Sequence, residues 1–240
     1  MLEIDKVLIF DLWGDYAHFR RGYTTTSPLT YPFPSRTTLA GILAAILGFQ
    51  RDSYYEYFRK HNSAFALQIL KPIKKIRINL NLIDTKTGFY LWDNKGQRTQ
   101  IPFEFLKDAK YRVYVWIKDK EIFNDLKDLI RNHKSFYTPY LGISECIANF
   151  NVFKGGIFDI ERKKATKETE VHSIIKKDSG KIKIEPKKKY GLIKVPGFMD
   201  KDRVVSEYIE FFYEEEGKPL LISEGEYYNI KGENVNIIFF

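Results

Sequence analysis

Leu39, Ile42, Leu43 and Ile46 recur at the i, i+3, i+4, i+7 spacing of one helical face, bracketed by Ser35 and Gly48. A serine hydroxyl there accepts an orphan amide of the first turn, and a glycine supplies a left-handed stop. The pattern predicts a helix. Its other side carries Ala40, Gly41, Ala44 and Ala45, small residues that let a neighbouring backbone approach, which predicts packing on a sheet. Pro28, Pro32 and Pro34 precede it, and residues before proline are pushed towards extended conformations. Thr30 to Pro34 therefore reads as a stiff arm.

Strand patterns surround this block. Val7 to Trp13 is a β-rich run, read as a central first strand ended by Gly14. Asp15 to Thr26 follows without helical or strand period, and Tyr54 to Arg59 reads as a short second helix. Ala64 to Leu70 and Lys74 to Leu82 are strands, the latter with Ile76, Ile78, Leu80 and Leu82 on one face. Asp84 to Pro102 holds two turn signals, Lys86-Thr87-Gly88 and Asp93-Asn94-Lys95-Gly96, and reads as a protruding hairpin. Tyr111 to Lys118 alternates as a strand, and Glu121 to His133 is an amphipathic helix. Phe136 to Ser144 is a turn-rich loop, and Cys146 to Phe153 a closing strand. The order predicts an α+β chain: a ferredoxin-like βαββαβ domain over residues 1–153, as used in RNA recognition motifs, with a protruding hairpin at 84–102. Residues 154–240 read as a basic loop and a small, mostly β region. Fold alone implies no function.

Composition narrows the classes. The 240 residues are 44% hydrophobic, enough for a real core, and carry a formal charge of +8 with 16 Tyr and 19 Phe. Basic charge with abundant rings suits nucleic acid, since cations track phosphates and rings stack on bases. The single Cys146 excludes an intramolecular disulfide and a cysteine-based zinc site. The first residues, MLEIDKVLIF, do not form a signal peptide. The longest apolar run, Leu39 to Phe49, is too short to span a bilayer, so a cytoplasmic protein without a membrane partner is expected.

Candidate chemistry gathers in three places. The loop after the first strand holds Tyr16, His18, Phe19, Arg20, Arg21 and Tyr23. Either the arginines meet RNA phosphates while the rings offer stacking surfaces, or the rings merely cover the end of the core. The hairpin carries Phe89, Tyr90, Trp92, Lys95 and Arg98, which would be costly to expose unless something covers them. Lys71 to Lys118 holds eleven Lys and Arg against four acids, and Lys154 to Tyr190 twelve against six. The second stretch is either a mobile basic loop that orders on RNA or a solvated surface segment. The four histidines lie far apart without metal-ligand spacing, and no cofactor or metal motif is present. His18 beside Arg20 and Tyr31 is the one candidate base for metal-free RNA cleavage.

FDLWGDYAHFRRGYTTTSPLTYPFPSRTTLAGILAAILG (Phe10 to Gly48) resembles the N-terminus of the fifth family of CRISPR-associated (Cas) proteins, of the type I-B kind, within the RAMP superfamily. The similarity continues through Arg98 to Trp116 and Ser135 to Cys146, covering about the first 150 residues. It implies a non-catalytic subunit of the type I interference complex, Cascade, that caps the 5′ handle of the guide RNA (crRNA). It also implies contacts with the backbone subunit and the large subunit. By position, Asp84 to Pro102 would be the thumb. His18, Phe19, Arg20, Arg21 and Tyr23 would lie near the handle, with Arg36 beside a helix N-terminus that favours phosphate. One branch of the family is a metal-independent endoribonuclease that processes repeat RNA. No Lys-His pair follows the third core strand as that branch requires, so the enzyme is the alternative expectation.

Overall fold

A computed structural model describes residues 3–24, 26–83 and 98–240. Strand β1 (Lys6–Ala17) leads through the proline arm to helix α1 (Arg36–Leu47). Ser35 caps that helix by accepting from the Thr38 amide, and Gly48 closes it at φ 81°. Then follow β2 (Ser63–Ile69), β3 (Lys74–Ile83), β4 (Arg98–Ile117), α2 (Lys120–Arg131) and β5 (Asn149–Ala165). Asp119 caps α2 by accepting from the amides of Glu121 and Ile122. The C-terminal region adds β6 (Thr169–Val171), β7 (Ile175–Lys176), β8 (Gly180–Lys183), β9 (Tyr190–Met199), β10 (Val205–Glu214), β11 (Leu220–Ile230) and β12 (Val235–Ile237).

The result is a mixed fold with few helices and mostly antiparallel sheet. The main sheet runs β12-β11-β5-β1-β4-β2, and β3 continues its edge along β4. A second sheet is ordered β7-β10-β9. Alternation sends Leu8, Phe10 and Leu12 of β1 to the face covered by α1 and α2, with Val113, Val115, Phe65 and Leu67. Val7, Ile9, Ala66 and Tyr114 point the other way and are buried by Ile230 and Ile237.

Four local expectations change. Gly14 does not end β1, which pairs with β4 as far as Ala17 opposite Leu106. Glycine is needed there because a Cβ would sit 2.8 Å from the Ile147 carbonyl oxygen. Tyr54 to Arg59 forms turns rather than a helix, with i to i+3 bonds such as Tyr57 N to Tyr54 O. The hairpin expected over Asp84 to Pro102 continues a longer two-stranded ribbon that pairs Lys74–Ile83 with Arg98–Lys107; residues 84–97 lie outside the described residues. Finally, the stretch after residue 153 is not an open loop. β5 runs on to Ala165 and β6 to β8 follow. Several of its cations are paired: Arg162 with Glu226, Lys183 with Glu168, Lys154 with Glu233, and Lys177 with Glu210 at 2.8 Å.

Arg36, the first residue of α1, is buried at 1% exposure. Its Nη1 donates to the Phe240 main-chain oxygen at 2.6 Å. Its Nη2 donates to Phe58 O at 3.1 Å, Ser63 O at 3.1 Å and Ser63 Oγ at 2.8 Å. The rings of Phe65 and Phe198 lie 4.3 and 4.6 Å from the guanidinium carbon. Both Nη groups are engaged and the side chain is enclosed, with only the buried Nε lacking a partner among the described residues, so it offers no charge to a phosphate, and that expectation is corrected. Arg36→Met is expected to lower the unfolding free energy by about 3 kcal/mol or more in a denaturant titration, because several buried oxygens lose a charged donor. Arg36→Lys should restore less than half, since an ammonium lacks the planar fork. A loss below about 1 kcal/mol for Arg36→Met would show that the guanidinium does not hold these segments.

Candidate functional site

A cleft of about 1000 Å³ opens beside α1. Its floor is the side of the helix carrying Gly41, Ala44 and Ala45, with Thr37 and Thr38 at the N-terminal end. The small residues thus border open space rather than the sheet. Phe19, Arg20 and Tyr31 form one wall. They are held together because Tyr31 N donates to Phe19 O at 2.8 Å and Arg20 bridges to Thr30. The opposite wall is the loop after α2, with Tyr137, Tyr140 and Gly142. That loop is tied to the end of α1 by Phe136 N to Ile46 O and Tyr137 N to Ala45 O. Gly142 adopts φ 96°, and a Cβ there would meet the His18 carbonyl oxygen at 2.0 Å, so this crossing requires glycine. Arg51, Asp52, Tyr54 and Arg203 complete the lining.

The charged residues of the cleft are three arginines and one aspartate. Arg20 donates only to the Thr24 carbonyl, at 3.4 Å, and meets no carboxylate among the described residues. Asp52 accepts from Arg203 Nε at 2.9 Å and from Tyr55 Oη at 2.8 Å, and Arg51 Nε lies 3.3 Å from its other oxygen. The bond from Arg203, then that from Tyr55, holds this carboxyl below the usual carboxylate range. Burial pushes the Tyr31 and Tyr54 hydroxyls up, so both stay neutral donors. Flat rings, neutral hydroxyls and surplus guanidinium charge around one cleft suit an anionic ligand with planar groups.

The structure sorts the predicted residues. Phe19 and Arg20 line the cleft. Arg21 lies beside it, its guanidinium 5.5 Å from the Tyr31 ring centre and its Nη1 donating to Tyr23 Oη, with Tyr23 itself exposed. Arg98 begins β4 opposite Ile83, at the far end of the ribbon. Trp92 and Lys95 lie outside the described residues. His18 is fully buried, its ring packed against those of Phe103 and Phe105. Its place in an RNA-facing loop is corrected, since Ala17 and His18 are carried inward at the end of β1. Tyr54, Tyr137, Tyr140, Arg51 and Arg203 were not singled out. Only the tyrosines in SFYTPYLGIS gave a signal, as aromatics in a turn-rich loop.

His18 Nδ1 lies 2.7 Å from the Glu104 carbonyl oxygen. A carbonyl only accepts, so Nδ1 carries the hydrogen and Nε2 is bare, and the buried Nε2 has no partner. Burial lowers the pKa of this ring below 6.5, ahead of an opposing contribution from the Glu104 bond.

The chain matches the family model of CRISPR-associated protein (Cas_Cas5) over residues 7–196. The protein belongs to that family. A crystal structure of a CRISPR protein from Archaeoglobus fulgidus aligns at 16% identity, covering 95% of this chain and 97% of that one, with a TM-score of 0.55. A chain of a CRISPR RNA-guided surveillance complex aligns at 16% identity over 89% and 91%, with a TM-score of 0.53. Both likenesses concern the fold. No curated protein sequence matches significantly. Among the described residues no helix is long and apolar enough to cross a membrane.

Because the folded state disfavours the protonated His18 ring, the unfolded chain binds the proton more readily, and stability falls as pH drops below about 6.5. His172 shifts in the same direction, again chiefly through burial. Thermal unfolding followed by circular dichroism should show a lower midpoint in mildly acidic than in neutral buffer. His18→Phe should flatten that dependence while lowering the midpoint at both pH values. An unchanged dependence in the variant would show that His18 is not a source of the acid sensitivity.

Proposed function

We propose that this protein is a non-catalytic subunit of a type I CRISPR interference complex, of the type I-B kind, which holds the 5′ handle of the guide RNA in the cleft beside α1. The observation that carries the proposal is the lining itself: Arg20 meets no carboxylate among the described residues, and the exposed rings of Tyr137 and Tyr140 border the same open space, over the buried rings of Phe19 and Tyr31. Single-stranded RNA is held in this way, by cations along its backbone and rings against unstacked bases. Family membership supports it. A similar fold occurs in a CRISPR RNA-guided surveillance complex, which accords with assembly alongside a backbone subunit and a large subunit.

The antiparallel order β5-β1-β4-β2, with both helices in the core on one face, supports the ferredoxin-like reading of residues 1–153. The β3–β4 ribbon would then be the thumb. The enclosed position of His18, with Nδ1 committed to a carbonyl, favours binding over cleavage by the alternative metal-independent endoribonuclease.

The test is binding of labelled CRISPR repeat RNA by the full chain, with and without chelator. Intact RNA in a salt-sensitive complex is expected, because binding through phosphates weakens as salt rises. Arg20→Ala combined with Tyr137→Ala should weaken binding about tenfold, given about 1–3 kcal/mol per stacked base. Unchanged affinity in the double variant would overturn the placement of RNA in this cleft. A discrete product formed in chelator and lost in His18→Ala would make the protein the processing nuclease instead.

A further inference from the structure

Part of the cleft lining comes from far along the chain: Pro196 and Met199 on β9, and Arg203 in the turn before β10. That turn is tied to the segment after α1 by a single carboxylate. Asp52 Oδ1 accepts from Arg203 Nε and Tyr55 Oη, while Oδ2 faces Arg51 Nε. Asp52 and Arg203 both have left-handed backbones, at φ 63° and 61°. Such conformations in residues other than glycine persist only where the surroundings hold them, and they gather at functional sites.

Stability does not account for the arrangement. The side chains of Arg203 and Asp52 are 50% and 31% exposed, and ion pairs this open to solvent add little. What the carboxylate does fix is position. It aligns two guanidinium groups from segments about 150 residues apart at one cleft, and one negative charge leaves the pair net positive. Arg203 donates through Nε to Asp52, and the Tyr55 hydroxyl also lies against its guanidinium. Half of the side chain is open to solvent, where a guanidinium presents a planar, forked donor, the geometry that matches a phosphate.

We infer that Arg203 and Arg51 contact the phosphate backbone of the RNA, that Asp52 is the positioning residue for both, and that the β9–β10 hairpin completes the binding site. This rests on the cleft being the RNA site. The consequence is that the C-terminal region takes part directly in recognition.

Anisotropy of labelled repeat RNA with the full chain, across a salt series, separates cation from position. Arg203→Gln should weaken binding about fivefold and reduce the salt slope by about 0.7, the value for one lost phosphate contact on a single strand. Asp52→Asn keeps both cations, so its slope should match the parent protein while affinity falls about threefold because the guanidinium groups are no longer pre-positioned. Arg203→Gln with parental affinity and slope would overturn the phosphate contact. Asp52→Asn binding as tightly as the parent, or tighter, would overturn the positioning role. Failure of the parent protein itself to bind RNA would instead overturn the reading of the cleft, and this assignment with it.

Discussion

A buried guanidinium held by main-chain oxygens, a hydroxyl and ring faces, with no hydrogen bond to an Asp or Glu side chain among the described residues, is the constraint around which this fold is arranged. Arg36 loses its hydration entirely, and burial lowers its pKa to about 9, so it remains charged at neutral pH. A charge in that position persists only if oxygens and ring faces replace the lost water. Here they come from the turn at Phe58, the start of β2 at Ser63, the last residue Phe240, and the rings of Phe65 and Phe198. Each of these segments must therefore reach the first turn of α1. The floor of the cleft and its β9 wall are fixed by the same contacts, because Phe198 lies between Pro196 and Met199, which line it. The geometry of the site follows from a side chain that never touches it.

Charge acts differently on the sheet. Residues 154–190 hold twice as many cations as acids, yet partners for them stand on β10, β11 and the turn after β11, supplied by Glu210, Glu226 and Glu233. Antiparallel pairing sets Arg162 opposite Tyr228 and Lys164 opposite Glu226, which brings late acids beside early cations. Surface pairs of this kind contribute little individually, but they reduce the local excess that a linear count suggests. Arg20, which meets no carboxylate among the described residues, is better placed to meet an anion than lysines paired with acids along a strand.

What could be read from the sequence was what depends on neighbours in sequence. The caps Ser35 and Gly48, the apolar face of α1, the alternation of β3 and of the Tyr111 to Lys118 strand, and the amphipathic α2 were all visible, since each follows from local periodicity. The failures share one cause, tertiary contact overriding local pattern. Gly14 looked like a strand end but serves close approach to Ile147. Tyr54 to Arg59 had helix-like spacing, but the chain must turn there to bring Phe58 O to Arg36. Arg36 and His18 looked solvent-facing because polar residues usually are, and only the assembled core shows them enclosed. Of the site, Phe19 and Arg20 were legible, whereas Arg51, Asp52 and Arg203 come together only when the C-terminal hairpin closes on α1.

Helix α1 also shows why an apolar sequence need not be wholly core. A helix that is apolar all round is ordinarily buried all round. Leu39, Leu43 and Ile46 obey this and are fully enclosed, but Gly41 and Ala45 are half-buried and line the cleft. At Gly41 an added Cβ would meet only the Tyr54 hydroxyl, at 3.4 Å, so no close packing demands glycine there. The demand comes from the open side: a floor without long side chains lets a flat group approach the helix between Tyr54 and Tyr137. Small residues therefore leave on this face the room that they would leave against a sheet, and in the proposed function that room receives the RNA.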